Sequence, residues 1–291
     1  MKIIETKTSD GITFNGLLSE PTDKSKKIII HIHGMAGSVL LNKYYPAMHD
    51  QYTQNGYAFL VGENRGTGTM TEFTSDAPSG VLLAGNALEK FEDCVFDIQG
   101  WVDFALNLGY EEIWLQSHSL GTSKVAFYMN KIKPTNIAGL IFLSPSDMIG
   151  CVHDPIGQKD HDILLPEAKK LEAERKENQL LTNMLWGAEY LSAGTYLNMF
   201  GENANTAIFN FGDESLGWKV VNEISVPVIA ITGTNDDGIA PVIDPKLAMT
   251  KLEQELKNSP KVKTIVYEGA EHSFDGFDNN IVRDVIQFNK E

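Results

Sequence analysis

The stretch Gln116-Ser117-His118-Ser119-Leu120-Gly121-Thr122 follows the apolar run Ile113-Trp114-Leu115 and precedes a helix-like segment from Lys124 to Lys131. The context reads strand, tight turn, helix. Small residues two places before and after Ser119, namely Ser117 and Gly121, let the helix pack back on the strand. A serine on such a strained turn throws its hydroxyl out above the sheet edge. Ser119 is therefore the candidate nucleophile, provided the rest of the chain supplies a sheet for it to stand on.

It does. Lys26-Lys27-Ile28-Ile29-Ile30-His31-Ile32-His33-Gly34 is nearly continuously apolar and ends in glycine, as does a strand buried on both faces of a parallel sheet. Tyr57–Val61, Ile137–Ser144, Val228–Gly233 and Thr264–Tyr267 repeat that character. Helices fall between them. One is expected from about Leu41 to Gln54, and a second over Leu88–Leu108, where Leu88, Phe91, Val95, Ile98, Val102 and Ala105 recur at steps of three and four. A third carries Met249, Leu252 and Leu256, and a last one Ile281, Val285 and Phe288. Residues 1–20 hold two alternating segments around Asp10-Gly11, which predicts an antiparallel hairpin. Strand and helix alternation of this kind predicts an α/β fold with a mostly parallel sheet covered on both faces, and such sheets gather chemistry at the carboxyl ends of their strands.

Residues 147–222 break the rhythm. Glu167–Trp186 is charged in its first half, then offers Leu180, Leu181, Met184, Leu185 and Trp186. Beyond lie Tyr190, Tyr196, Met199, Phe200, Phe209, Phe211 and Trp218. We expect an inserted cap over 147–222, with residues 1–146 and 223–291 as the core domain. Most of its aromatics should pack the insertion's own small core. Trp186 and Trp218 are the candidates to face a substrate.

The 291 residues carry a net charge of -15, which disfavours nucleic acid or an anionic membrane as partner. Cys94 and Cys151 are the two cysteines, which excludes a disulfide framework. Cys94 falls in a predicted helix as a small buried hydrophobe, and Cys151 in a loop as a free thiol. The polar N-terminus and the absence of a long apolar run suggest a cytoplasmic protein.

The heptapeptide resembles the GxSxG nucleophile elbow of the α/β-hydrolase superfamily, with Ser117 in place of the first glycine. His272, in Gly269-Ala270-Glu271-His272-Ser273-Phe274 after the last strand, matches the family's base. Gly233-Thr234-Asn235-Asp236-Asp237-Gly238-Ile239-Ala240-Pro241 looks like its GxxDxxxP acid loop with one residue added. Counting from Gly233 selects Asp236, and counting back from Pro241 selects Asp237; Asp236 is preferred because the strand end fixes the register. His33-Gly34-Met35-Ala36-Gly37-Ser38 resembles the HG-containing oxyanion loop of esterases and lipases, cinnamoyl and monoacylglycerol esterases among them. The implied donors are the backbone N–H groups of Met35 and Leu120. Glu63-Asn64-Arg65-Gly66-Thr67-Gly68 is similar to the DxRGxG turn, in which Arg65 would hold loops together.

The resemblance implies an α/β-hydrolase fold with a cap between the sixth and seventh strands. It implies a serine hydrolase acting on a small-molecule carboxylic ester or thioester with an apolar or aromatic part, through an acyl-enzyme on Ser119. An acyltransferase or a peptidase would use the same triad, and a non-catalytic ligand-binding protein could keep the fold. No cofactor is implied: neither GxGxxG nor GxxxxGK occurs. His153, Asp154, Asp160, His161 and Asp162 match no zinc spacing and are expected in a solvated polar loop rather than around a metal.

Overall fold

Eight strands form the main sheet of the computed structural model, which describes residues 1–40 and 43–290. β1 (Lys2–Lys7) and β2 (Thr13–Ser19) pair antiparallel through the Asp10-Gly11 turn, where Gly11 has φ +89°. β3 (Lys27–Ile32) and β4 (Ala58–Gly62) are parallel to one another, and β2 joins the sheet antiparallel to β4. β5 (Thr71–Thr74) and β6 (Val81–Ala84) make a separate hairpin. β7 (Glu112–His118), β8 (Ile137–Leu143), β9 (Val228–Asn235) and β10 (Val262–Glu271) complete the sheet in parallel, in the order β1-β2-β4-β3-β7-β8-β9-β10.

The period of two along a strand distributes the core. Ile28, Ile30 and Ile32 of β3 enter the apolar cluster on one face, while Ile29 enters the cluster on the other. α1 (Tyr45–Gln54) and α9 (Asp278–Lys290) cover the Ile29 face with Tyr45, Met48, Tyr52, Ile281, Val285 and Phe288. α2 (Cys94–Asn107), α3 (Leu120–Ile132) and α8 (Pro245–Glu255) cover the opposite face. With helices on both faces, every strand end near the middle of the sheet opens toward one edge, where β3, β7, β8 and β9 deliver their following loops.

One helix boundary is corrected, and another lies outside the described residues. The helix expected from Leu88 begins at Cys94, after a 3-10 turn over Phe91–Asp93, because Glu89 turns inward and the Phe91 N–H donates to Asn198 Oδ1 at 2.8 Å. The expected start of the first helix at Leu41 lies outside the described residues, and α1 is helical from Tyr45. The β5–β6 hairpin has no counterpart in the sequence reading.

Between β8 and β9 the described chain is helical, with α4 (Gly150–His153), α5 (Gly157–Ala173), α6 (Ala193–Phe200) and α7 (Lys219–Asn222). Here the solvated polar loop is overturned. His153 ends α4, Asp160, His161 and Asp162 lie on α5, and His161 is buried with Nδ1 2.8 Å from the Tyr196 hydroxyl. Asp154 turns the chain between the two helices, accepting the Ile156 and Gly157 N–H groups at 2.7 Å each. Cys151 sits on α4 rather than in a loop and is buried, its Sγ 3.3 Å from the Gly238 carbonyl oxygen. As expected, the insertion's aromatics pack largely on one another, Trp186 and Tyr196 on Phe200 and Phe211 on Phe209 and Trp218, but this packing is continuous with the core of the sheet, with the Phe142 and Phe209 rings 5.5 Å apart edge to face. No helix among the described residues is long and apolar enough to cross a membrane.

Candidate active site

β7 ends at His118, and the chain reverses into α3 through Ser119 alone. Its backbone sits at φ 55° and ψ -130°, a region costly for any residue but glycine, at roughly 1–3 kcal/mol. The Ser119 N–H anchors the elbow by donating to the Leu143 carbonyl at 3.0 Å. A Cβ at Gly121 would strike the Ile32 and His33 carbonyls, so the small residue there is what lets α3 approach β3. Ser117 fills the other small position, fully buried, with its hydroxyl donating across to the Ile141 carbonyl at 3.4 Å. Ser119 Oγ itself makes no hydrogen bond among the described residues.

The loop after β3 lies against this elbow. A Cβ on Gly34 would fall 2.9 Å from Ser119 Cβ and 3.2 Å from Leu120 N, so glycine keeps the space in front of the Leu120 N–H open. Leu120 is the first residue of α3, where no intrahelical partner exists for its N–H. Neither that N–H nor the Met35 N–H has a protein acceptor among the described residues. His33 braces the loop: Nδ1–H donates to the Gly34 carbonyl at 2.9 Å, which leaves Nε2 to accept from the Thr67 hydroxyl at 2.9 Å. Burial pushes its pKa down to about 3, so the ring is a neutral strut.

His272 follows β10, and Asp236 is the first residue beyond β9. His272 Nδ1 lies 2.6 Å from Asp236 Oδ1. Asp236 is fully buried and also accepts the Thr232 hydroxyl at 2.5 Å and the Gly238 N–H at 3.0 Å. Asp237 stands farther off and in solvent: its side chain is 85% exposed and its Oδ1 is 3.8 Å from the same nitrogen. Of the two ways of counting the loop, the geometry pairs His272 with Asp236. Burial alone would raise the Asp236 pKa, but the hydrogen bond from His272, its charge and the Thr232 hydroxyl hold the carboxyl well below the usual range. For His272, burial pulls the pKa down and the Asp236 hydrogen bond and charge, helped by Asp237, more than reverse it. The net shift is upward.

Elbow and base are joined by a residue the sequence reading passed over. His118 Nε2–H donates to the His272 carbonyl at 2.8 Å, with the two rings 4.8 Å apart, and Ser144 Oγ reaches the same carbonyl at 3.4 Å. Burial and the neighbouring His272 push the His118 pKa to about 3, which keeps it a neutral donor. The signal lay in the quoted heptapeptide itself, where an imidazole ends a buried strand beside the nucleophile. Ser144 likewise follows the carboxyl end of β8, and Thr232 lies within β9.

Asp236, Asp237 and His272 converge within 4.8 Å, a spacing a metal could use. Asp236 Oδ1, however, already faces the His272 Nδ1 proton and the Gly238 N–H, which a cation would have to displace. Arg65 is buried and bound to Asp97 at 2.7 Å, Asp10 at 3.0 Å and Asp93 at 3.2 Å, a set that ties three segments together. Trp186 is half-buried, donates through its indole N–H to the Cys151 carbonyl at 3.0 Å and packs on Phe200. Trp218 is buried edge-on against Phe211, 5.3 Å between centroids. Neither tryptophan contacts Ser119 or His272 through these interactions.

The family model described as "Serine aminopeptidase, S33" matches residues 23–276. Among solved structures, Est1E from Butyrivibrio proteoclasticus with ferulic acid bound is similar at 19% identity and a TM-score of 0.66, covering 98% of this chain and 97% of that one. A soluble variant of monoglyceride lipase from Saccharomyces cerevisiae, in complex with a substrate analog, is similar at 16% identity and a TM-score of 0.68, covering 100% and 96%. A thermostable carboxyl esterase from Bacillus coagulans in complex with glycerol is similar at 14% identity and a TM-score of 0.65, covering 99% and 97%. These likenesses show the fold. No curated protein sequence matches the chain.

Proposed function

The chain belongs to the serine aminopeptidase S33 family of α/β-hydrolases, which makes it a hydrolase, and we propose that it cleaves a carboxylic ester or thioester through an acyl-enzyme on Ser119. The observation that carries this reading is the 2.6 Å bond between His272 and the buried Asp236 at the sheet edge that also holds the strained Ser119 elbow. His272 Nε2 takes the Ser119 proton as Oγ adds to the substrate carbonyl, and Asp236 holds the Nδ1–H tautomer and stabilises the imidazolium that forms. The Met35 and Leu120 N–H groups receive the oxyanion. His272 then returns the proton to the leaving alcohol or thiol, and water repeats the cycle on the acyl-enzyme. The Ser119–His272 hydrogen bond closes when substrate excludes water, as catalytic contacts commonly do.

Residues 147–222 act as a cap over this edge and favour an acyl group with an apolar or aromatic part. Ferulic acid on Est1E, which is similar in fold, belongs to that chemical range. The substrate is a small molecule met in the cytoplasm: the net charge of -15 disfavours nucleic acid and anionic membranes.

The family description favours one second reading, removal of an N-terminal residue from a peptide. A substrate panel separates the two. p-Nitrophenyl esters of two to twelve carbons, a feruloyl ester and a monoacylglycerol are set beside aminoacyl anilides. Turnover confined to the esters supports the proposal, and turnover confined to the anilides replaces it with the peptidase reading.

A further inference from the structure

A lysine is sealed under the nucleophile. Lys124 lies on α3, four residues beyond Leu120, so it shares one helical turn with the residue that offers an oxyanion N–H. Its side chain is 1% exposed, and its ammonium is held by Glu89 Oε2 at 2.7 Å, a carboxylate that is itself 0% exposed. Glu89 Oε1 has no partner, so Lys124 is the one cation this carboxylate touches among the described residues. A buried ion pair adds little stability over an apolar pair of the same volume, so its presence calls for another account.

The second bond of Lys124 supplies it. The ammonium also donates to Asn64 Oδ1 at 3.3 Å, and Asn64 Nδ2 donates to the His33 carbonyl at 3.3 Å. The Asn64 N–H reaches Thr67 Oγ1 at 3.2 Å, the hydroxyl that also holds His33 Nε2. Two hydrogen bonds therefore lead from Lys124 to His33, the residue that opens the Gly34-Met35 loop. A single ammonium thus links the helix carrying one oxyanion donor to the loop carrying the other, beside the direct packing at Gly34 and Gly121. The Glu89 carbonyl accepts the Thr195 hydroxyl at 3.1 Å, which extends the same fastening to α6 of the insertion.

We infer that Lys124, charge-balanced by Glu89 and bridged by Asn64, is a positioning residue for the oxyanion hole. It fixes the separation of the Leu120 and Met35 N–H groups without touching substrate. The inference rests on the proposed acyl-transfer reading for its kinetic consequence, but not for its structural one.

The test uses two variants of the full chain. Lys124→Met alone would strand Glu89, so the first variant is the neutral pair Lys124→Met/Glu89→Gln. The second, Asn64→Ser, keeps the ion pair and cuts its bridge to His33. Both are expected to lower kcat on a p-nitrophenyl acetate substrate on the order of tenfold or more, with KM within about twofold, because the donors serve the transition state. Both should weaken binding of phenylboronic acid, whose tetrahedral adduct places an oxygen in the hole, by a matching factor. Amide hydrogen exchange should quicken in segments 33–37 and 119–123 in both variants, and also in the 64–67 turn in Asn64→Ser, where the Gly66 N–H loses its bond to Asn64 Oδ1 at 2.9 Å. Wild-type kcat with wild-type exchange in both variants would overturn the inference, since a pair kept for charge balance alone is satisfied by its neutral substitute. If the wild-type protein hydrolyses no ester, the functional reading fails by itself, and the exchange measurement still decides the positioning.

Discussion

On one flank of Ser119 the ionic groups are sealed and permanently paired, with Lys124 and Glu89 1% and 0% exposed. On the other, Asp236 is as deeply buried but His272 keeps 26% of its side chain exposed, and the neighbouring Asp237 is in solvent. The two buried carboxylates also shift in opposite directions. Burial leaves Glu89 raised despite Lys124, whereas His272 and two further hydrogen bonds leave Asp236 lowered. On the proposed acyl-transfer reading, the difference follows from the task of each flank. Donors for an oxyanion must stay where they are through the reaction, and a fixed charge in a closed core holds them. A base must gain and lose a proton, so its ring lies at the rim while only the acid that orients it is enclosed.

The contrast breaks or sharpens most visibly at the two aspartates. Asp236→Asn should cost about 10⁴ in kcat, or roughly 5 kcal/mol, as loss of the orienting acid does in serine proteases. Asp237→Asn should cost tenfold or less, because its carboxylate stands 3.8 Å off and in water. Steady-state kinetics on both variants, each checked for its melting transition, give the ratio. The reverse ranking would move the acid to the exposed side of the loop and dissolve the contrast.

The pH profile tests the same flank with a smaller effect. His272 works as base only when neutral, and its pKa is raised above 6.5. Activity should therefore fall as pH drops through a midpoint above 6.5. Because Asp237 contributes to that raise, Asp237→Asn should move the midpoint to lower pH. A midpoint at or below the free imidazole value would show that Asp236 does not stabilise the imidazolium.

The sealed flank and the base together were partly legible in the chain. β3 reads from sequence because Ile28, Ile29 and Ile30 must be apolar on both faces of a covered sheet. The elbow reads because small residues are needed wherever α3 meets β3. What sequence withholds is set by partners far along the chain. Phe91 meets Asn198 and so delays α2, and His161 meets Tyr196 and so is buried instead of solvated. The choice between Asp236 and Asp237 turns on where β9 stops. It runs through Asn235, which lets the Asp236 carboxylate fold back onto Thr232. For Trp218, hydrophobicity alone does not distinguish a pocket wall from packing such as its contact with Phe211.

The smallest effect is expected in the insertion proposed as a cap. Trp186→Ala should leave turnover of a small acetate ester within about threefold and change KM mainly for bulky or aromatic esters, since Trp186 is half-buried and bonded to the Cys151 carbonyl rather than to the triad. Equal losses on every ester would make it a folding residue.

The most direct measurement is covalent labelling with a fluorophosphonate, followed by mass spectrometry of the intact protein and its peptides. One adduct per chain on Ser119, absent from Ser119→Ala and slowed as pH falls through the His272 titration, is the expected result. A chain that stays unmodified, or is modified at another residue, would contradict the assignment of Ser119 as the nucleophile.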